Sequence, residues 1–186
     1  MGHNFHYYAT SNPHFVRTHS QNRWSINVWG GVVGDYVIGP LFFEGVVTGQ
    51  VYLDFLRYNL PQLMAQIPNE VRERLWFLHD GAPVHYTGLI INFLNNTYGE
   101  RWIGRGAPVP WPARSPDITK MDFSLWGFIK DQVYKVPLTT KDDMKIRITN
   151  SFQSVTREMC RNMSRSFEKR IELCIQVNGG HFEQIL

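Results

Sequence analysis

At 186 residues, with 43% hydrophobic and 14% aromatic content, the chain can bury one good core, and its composition argues against disorder. It has no apolar run near 18 residues and no basic-then-apolar N-terminus, so neither a membrane span nor a signal peptide is expected and the protein is read as intracellular. The net charge of +3 is uneven: residues 101 to 170 hold 14 Lys and Arg against 7 Asp and Glu, while residues 1 to 100 hold 5 against 7. Such a field suits a polyanion, although solvated helix faces would leave the same count.

Residues 1 to 22 have no clear period and hold four of the seven histidines (His3, His6, His14, His19), without the close paired spacing of a zinc site. They are read as irregular. Trp24 to Val33 and Tyr36 to Phe43 are rich in β-branched and aromatic residues around Gly34-Asp35, which predicts a tight hairpin and explains Asp35 by the turn. Thr48 to Ile67 carries Tyr52, Phe55, Leu56, Leu60, Leu63, Met64 and Ile67 at helical spacing, with Pro61 expected to bend or break it. Leu75 to Leu78 reads as a short buried strand that delivers Asp80 to a loop, because His-Asp-Gly and a proline follow at once. Thr87 to Thr97 reads as a helix stopped by Gly99, and Pro108 to Ser115 as a loop.

Asp122 follows a Ser-Pro-Asp turn and precedes Leu125, Trp126, Ile129 and Val133 at helical spacing, so it belongs in the first turn of a helix. Val136-Pro137 marks a boundary. Thr140 then heads a helix, with Asp143 placed as in a capping box and an apolar stripe of Met144, Ile148, Phe152, Val155 and Met159. A last helix is expected over Ser164 to Asn178, before Gly179-Gly180. Cys160 and Cys174 lack the spacing of a zinc site or a disulfide framework and are read as reduced core thiols.

Two carboxylates thus sit in chemically telling places, Asp80 at a strand end and Asp122 at a helix start, with 41 residues between them. Each has an ordinary explanation, in a turn for Asp80 and in the positive end of a helix for Asp122. Together they have another. Mg²⁺ prefers hard oxygen ligands and commonly takes one or two protein carboxylates, and paired ions of this kind promote in-line displacement at phosphorus.

The words around them carry a family likeness. His-Asp-Gly-Ala-Pro-Val-His (His79 to His85) and Ser-Pro-Asp-Ile-Thr-Lys-Met-Asp (Ser115 to Asp122) resemble the catalytic core of mariner-type transposases, as do Arg101 to Gly106 and Asn178 to Glu183. The resemblance implies a DDE/D-superfamily enzyme of DNA transposition and integration, with Asp80 and Asp122 as the second and third acids of a triad that binds Mg²⁺ or Mn²⁺. It implies an α/β, ribonuclease-H-like mixed sheet flanked by helices, transposon-end DNA as partner, a possible homodimer, no membrane and a nuclear location. The expected organisation is an irregular segment over 1–23, a catalytic core over 24–135 and a C-terminal helical extension over 136–186. Arg101, Arg105, Arg114 and Lys130 are the candidates for phosphate contact.

The chain also departs from the family. The first acid should lie on a central strand before the hairpin, yet no Asp or Glu occurs before Asp35. An N-terminally truncated core without that strand, with little or no strand cleavage by itself, is the resulting expectation. Lys120-Met121 stands where the family more often has a proline, which is expected to alter the local turn. The alternative reading is a non-catalytic nucleic-acid-binding or interaction protein that kept the basic region and lost the chemistry.

Overall fold

The computed structural model describes residues 25–112, 115–137 and 140–186. The expectations for the N-terminal segment, for Trp24 and for Arg114 lie outside these residues. Strands β1 (Asn27–Val33) and β2 (Tyr36–Phe43) form the expected antiparallel hairpin, with Val33 paired to Tyr36 across the two-residue turn. Gly34 takes φ +55° there, which its missing Cβ permits. The register shifts between Trp29 and Gly31, where Gly39, at φ +100°, and Pro40 form a bulge on β2.

The hairpin is apolar on both faces. Trp29, Val33, Tyr36, Leu41 and Phe43 join a cluster built on Tyr52, Phe55, Leu56, Leu60, Ile90, Leu94 and Trp102. Val28, Val32, Val37 and Phe42 join a second cluster built on Leu125, Ile129, Val133, Ile148, Phe152 and Met163. The C-terminal helices are therefore packed into the core rather than appended to it.

Helix α1 covers residues 49–66, opened by Thr48, whose side chain accepts the Val51 N–H at 3.3 Å. The sequence expectation of a bend at Pro61 takes a specific form. A prolyl ring clashes with the carbonyl four residues back, and the chain avoids this with a π-turn over Phe55–Asn59, in which the Leu60 N–H reaches the Phe55 carbonyl. The widened turn keeps Tyr52 and Phe55 on the hairpin, where Phe55 lies 4.7 Å from Trp29 and 5.5 Å from Phe43 between ring centres.

Helix α2 (Asn69–Arg74) leads into β3 (Phe77–Leu78), shorter than the expected Leu75 to Leu78. Helix α3 (Gly88–Tyr98), ended by Gly99 at φ +59°, carries the chain to β4 (Trp102–Gly104), and β5 (Val109–Pro110) follows. β3, β4 and β5 are mutually parallel. Among the described residues the expected mixed sheet is thus in two pieces, the hairpin and this parallel set.

Helix α4 spans 121–133 and starts with a second π-turn, Met121–Leu125. Helix α5 (Lys141–Gln153) is capped by Thr140, whose Oγ1 accepts the Asp143 N–H at 3.0 Å, while the Asp143 carboxylate pairs with Arg147 at 2.9 Å. Arg147 also donates to the Val133 and Val136 carbonyls, closing the end of α4.

Here the sequence expectation is corrected. The stripe from Met144 to Met159 is not one helix: α5 ends at Gln153, and Thr156 caps a new helix, α6 (Arg157–Gln176), by accepting the Met159 N–H. Val155 and Met159 still reach the same cluster, from a loop and from α6, which is why the period ran on. Helix α6 begins seven residues before the expected Ser164 because the cap, not the apolar spacing, sets its start.

Gly30 faces the second cluster so closely that a Cβ would lie 2.6 Å from the Phe152 ring. Gly30→Ala is expected to lower stability by about 1–3 kcal/mol through overpacking. Urea unfolding will show this loss, and Phe152→Leu in the same chain will return part of it.

Candidate metal and nucleic-acid site

Asp80 stands one residue beyond the last β3–β4 backbone bond, from the His79 N–H to the Ile103 carbonyl at 2.9 Å. Its Oδ1 accepts the Ala82 N–H at 3.0 Å, closing an Asx-type turn, and His85 Nδ1–H at 2.6 Å. His85 comes from the short 3₁₀ turn Pro83–Tyr86, so Gly-Ala-Pro folds the chain back onto the carboxylate. The His85 hydrogen bond, aided by the Ala82 N–H, outweighs burial and lowers the Asp80 pKa to about 2. Oδ2 has no hydrogen-bond partner among the described residues.

Three rings support this turn from below. His79 and His85 stack at 4.3 Å and 9°, and the Tyr52 ring lies 4.8 Å from His85. Tyr52 Oη and His79 Nε2 share a hydrogen bond of 2.8 Å inside the core. Burial pushes the His79 pKa well down and the Tyr52 pKa up, so both are neutral.

Asp122 lies in the first turn of α4 as expected, its N–H bonded to the Thr119 carbonyl at 2.9 Å. Its pKa is raised, first by lost solvation and then by the Asp80 charge, while Lys130 pulls it the other way. The fold has therefore brought the two acids within each other's field. Helix α6 holds the Asp122 segment in place: Arg170 donates to the Asp117 carbonyl at 2.8 Å and lies 4.4 Å from the Phe123 ring, and Lys120 donates to Ser164 Oγ at 3.1 Å. Lys120 precedes the π-turn and ties it to α6.

Parallel pairing sorts the basic candidates. Arg105 follows the carboxyl end of β4, beside the Asp80 turn, with its guanidinium 4.0 Å over the Tyr86 ring. Lys130 is close enough to act on Asp122. Arg101 precedes β4 at the opposite end and donates to the Glu73 carbonyl. Asp35 pairs with Arg161 of α6 at 2.7 Å, which ties the hairpin turn to that helix and accounts for its charge.

Sequence reasoning quoted His79 and His85 within a motif but assigned them no role, and it placed Tyr52 only on an apolar stripe. The signal for His85 was its position five residues after Asp80, the reach of one tight turn. For Tyr52 there was none.

The donors fit a hard divalent cation: one open carboxylate oxygen on Asp80, and an Asp122 carboxylate that is partly desolvated and within reach of the Asp80 charge. Among the described residues no group of three or more His, Cys, Asp or Glu side chains is arranged to hold a metal ion.

Because the folded Asp80 pKa lies below its ordinary 3.8, its contribution to stability is present above pH 3.8 and is lost as pH falls toward 2. Carboxyl NMR titration is expected to find Asp80 near 2 and Asp122 above 3.8, and His85→Ala to move Asp80 back toward its ordinary value.

No family model matches the chain. The Tc3 transposase of Caenorhabditis elegans is 24% identical over 157 residues, which is 83% of this chain and 44% of that protein. The chain thus spans less than half of that relative's length. Among solved structures, the catalytic domain of the Mos1 mariner transposase matches with a TM-score of 0.69 at 23% identity, over 85% of this chain and 75% of that one. The Mos1 mariner paired end complex with Mn matches with a TM-score of 0.72 at 22% identity, over 97% of this chain and 52% of that one. The chain is therefore similar in sequence to a transposable-element transposase and has the ribonuclease-H-like fold of the mariner transposase catalytic domain.

Proposed function

We propose that this chain derives from a mariner-type transposase that cleaves and joins DNA at transposon ends, and that Asp80 and Asp122 are its divalent-metal ligands. The observation that carries the reading is the approach of the two acids. A strand end and a helix start far apart in sequence converge so that the Asp80 charge adds to the burial that raises the Asp122 pKa. Mos1 catalytic-domain structures contain Mn or Mg, and other Mos1 structures are a paired end complex and a strand transfer complex. They support Mg²⁺ or Mn²⁺ as the cofactor and DNA ends as the partner; a homodimer acting in the nucleus completes the proposal.

A bound divalent cation supplies Lewis acidity toward a phosphoryl oxygen and toward the attacking water or hydroxyl. The chain's own residues supply position. His85 and the Ala82 N–H fix Asp80 through Oδ1, which leaves Oδ2 for the cation. The π-turn and its ties to α6 fix Asp122. Arg105 and Lys130 border the acids and are suited to phosphate oxygens, whereas Arg101, at the other end of β4, would meet the backbone farther along. With two carboxylates gathered, cation binding is expected to be weak and strand cleavage slight.

Mg²⁺ is expected to lower the Asp122 pKa, because a cation between the acids replaces repulsion by attraction. Asp122→Asn is expected to remove the cation-dependent shift at Asp80. Shifts at neither carboxylate would overturn the metal assignment. Labelled transposon-end duplex is expected to bind in a salt-dependent way, and Arg105→Gln and Lys130→Gln each to reduce the logarithmic salt slope by about 1. Any cleavage in Mn²⁺ must disappear in Asp122→Ala; binding without cleavage at any metal concentration would favour the non-catalytic alternative.

A further inference from the structure

The segment Asn178 to Glu183 shares the family likeness, yet it lies far in sequence from both acids. Its local structure explains its composition. Asn178, at φ +52°, and Gly179, at φ +81°, end α6, with the Gly179 N–H on the Cys174 carbonyl at 2.9 Å and the Asn178 N–H on the Ile175 carbonyl at 3.0 Å. These are the two bonds of a Schellman turn, which reverses the chain through a left-handed residue, most often glycine and sometimes asparagine. The Gly180 N–H then bonds to the Val177 carbonyl at 3.0 Å, and Phe182 is buried. Farther on, Lys169 Nζ donates to the Leu186 backbone oxygen at 2.8 Å, so the chain returns along α6.

The return brings Glu183 to Arg170, with Oε1 3.8 Å from Nη1. The same Nη1 donates to the Asp117 carbonyl at 2.8 Å, and the guanidinium carbon lies 4.4 Å from the centre of the Phe123 ring. One planar group therefore touches the C-terminal turn, the turn before Asp122 and the residue directly after it. The Arg170 side chain is 15% exposed and its Nε–H has no partner, so among the described residues its direction depends on Nη1 and on the ring face. Glu183 is 58% exposed, and an ion pair open to solvent on one side adds little stability. What it can fix is the direction of a planar cation.

We infer that Arg170 and Glu183 are positioning residues for Asp122: the C-terminal turn sets the Arg170 guanidinium, and the guanidinium holds the segment from Asp117 to Phe123 so that the Asp122 carboxylate faces the site. Asp80 is held separately, by the Ala82 N–H and His85, so the effect belongs to the Asp122 half alone. The role rests on the reading of Asp122 as a metal ligand, but the hold on its backbone needs neither metal nor DNA.

The test uses the full chain with Arg170→Lys, which keeps the charge and loses the planar fork, and Glu183→Gln, which keeps the shape and loses the charge. Amide exchange at Asp122 and Phe123, both bonded to the Thr119 carbonyl, is expected to quicken in each variant, while His79, bonded to the Ile103 carbonyl, exchanges as before. Mn²⁺ affinity, read by electron paramagnetic resonance, is expected to fall about tenfold in Arg170→Lys, the low end for a group that holds a metal ligand from behind. A smaller fall is expected in Glu183→Gln, at an unchanged urea midpoint. Adding Glu183→Gln to Arg170→Lys is expected to do little more, because both act through one guanidinium. Unchanged exchange at Asp122 and Phe123 in Glu183→Gln overturns the inference, and strictly additive effects of the two changes do the same. Equal quickening at His79 also overturns it, since that marks a general loss of stability. If the unaltered chain binds no Mn²⁺, the metal reading fails instead, and the exchange result still decides whether Arg170 and Glu183 hold the segment.

Discussion

A single oxygen, Asp80 Oδ1, receives two hydrogen bonds, one from the Ala82 backbone and one from His85. These bonds fix the carboxylate that stands at a strand end. Without them the chain after β3 has no reason to double back, because the segment between Asp80 and α3 adds no fully buried residue. Beneath the turn, His85 rests on His79, and His79 shares its hydrogen bond with Tyr52 of α1. The carboxylate is thus referenced to the core through two stacked imidazoles and a phenol. Buried polar chains of this kind hold one arrangement, since any alternative leaves a polar atom unpaired in low dielectric.

Tyr52 can serve in that chain because of the π-turn that precedes Pro61. The widened turn absorbs the proline and keeps the preceding helix on its original face, so that Tyr52 meets both the hairpin and the Asp80 turn. A second π-turn carries Asp122. Both halves of the site therefore depend on irregular helical backbone, a conformation often found where function requires side chains to be re-aimed.

The C-terminal helices take part in this as fully as the motif segments do. Arg170 and Lys120 join α6 to the Asp122 turn, Arg161 joins it to the hairpin turn, and Arg147 closes the end of α4. Much of the positive charge in the second half of the sequence is used in these internal contacts. What remains beside the acids is local, with Arg105 over Tyr86 and Lys130 near Asp122. Net charge by itself could not make that distinction.

The hairpin, the Thr140 cap, the bend at Pro61 and the helix start at Asp122 were all legible in the sequence, because each depends on residues within a few positions. The limits of α5 and α6 were not. Residues on both sides of the Thr156 cap bury into one cluster and so imitate a single period. The sequence by itself singled out Asp80 and Asp122 as candidates and set their local turns, since both sit in long motifs written in glycine and proline. Only the tertiary structure decided that Asp122 feels the Asp80 charge, that Arg105 and not Arg101 stands beside Asp80, and that β1 and β3 line one apolar cavity. Those are relations between segments far apart in the chain, set by parallel pairing and by packing on the two faces of the hairpin, and no local pattern of residues encodes them.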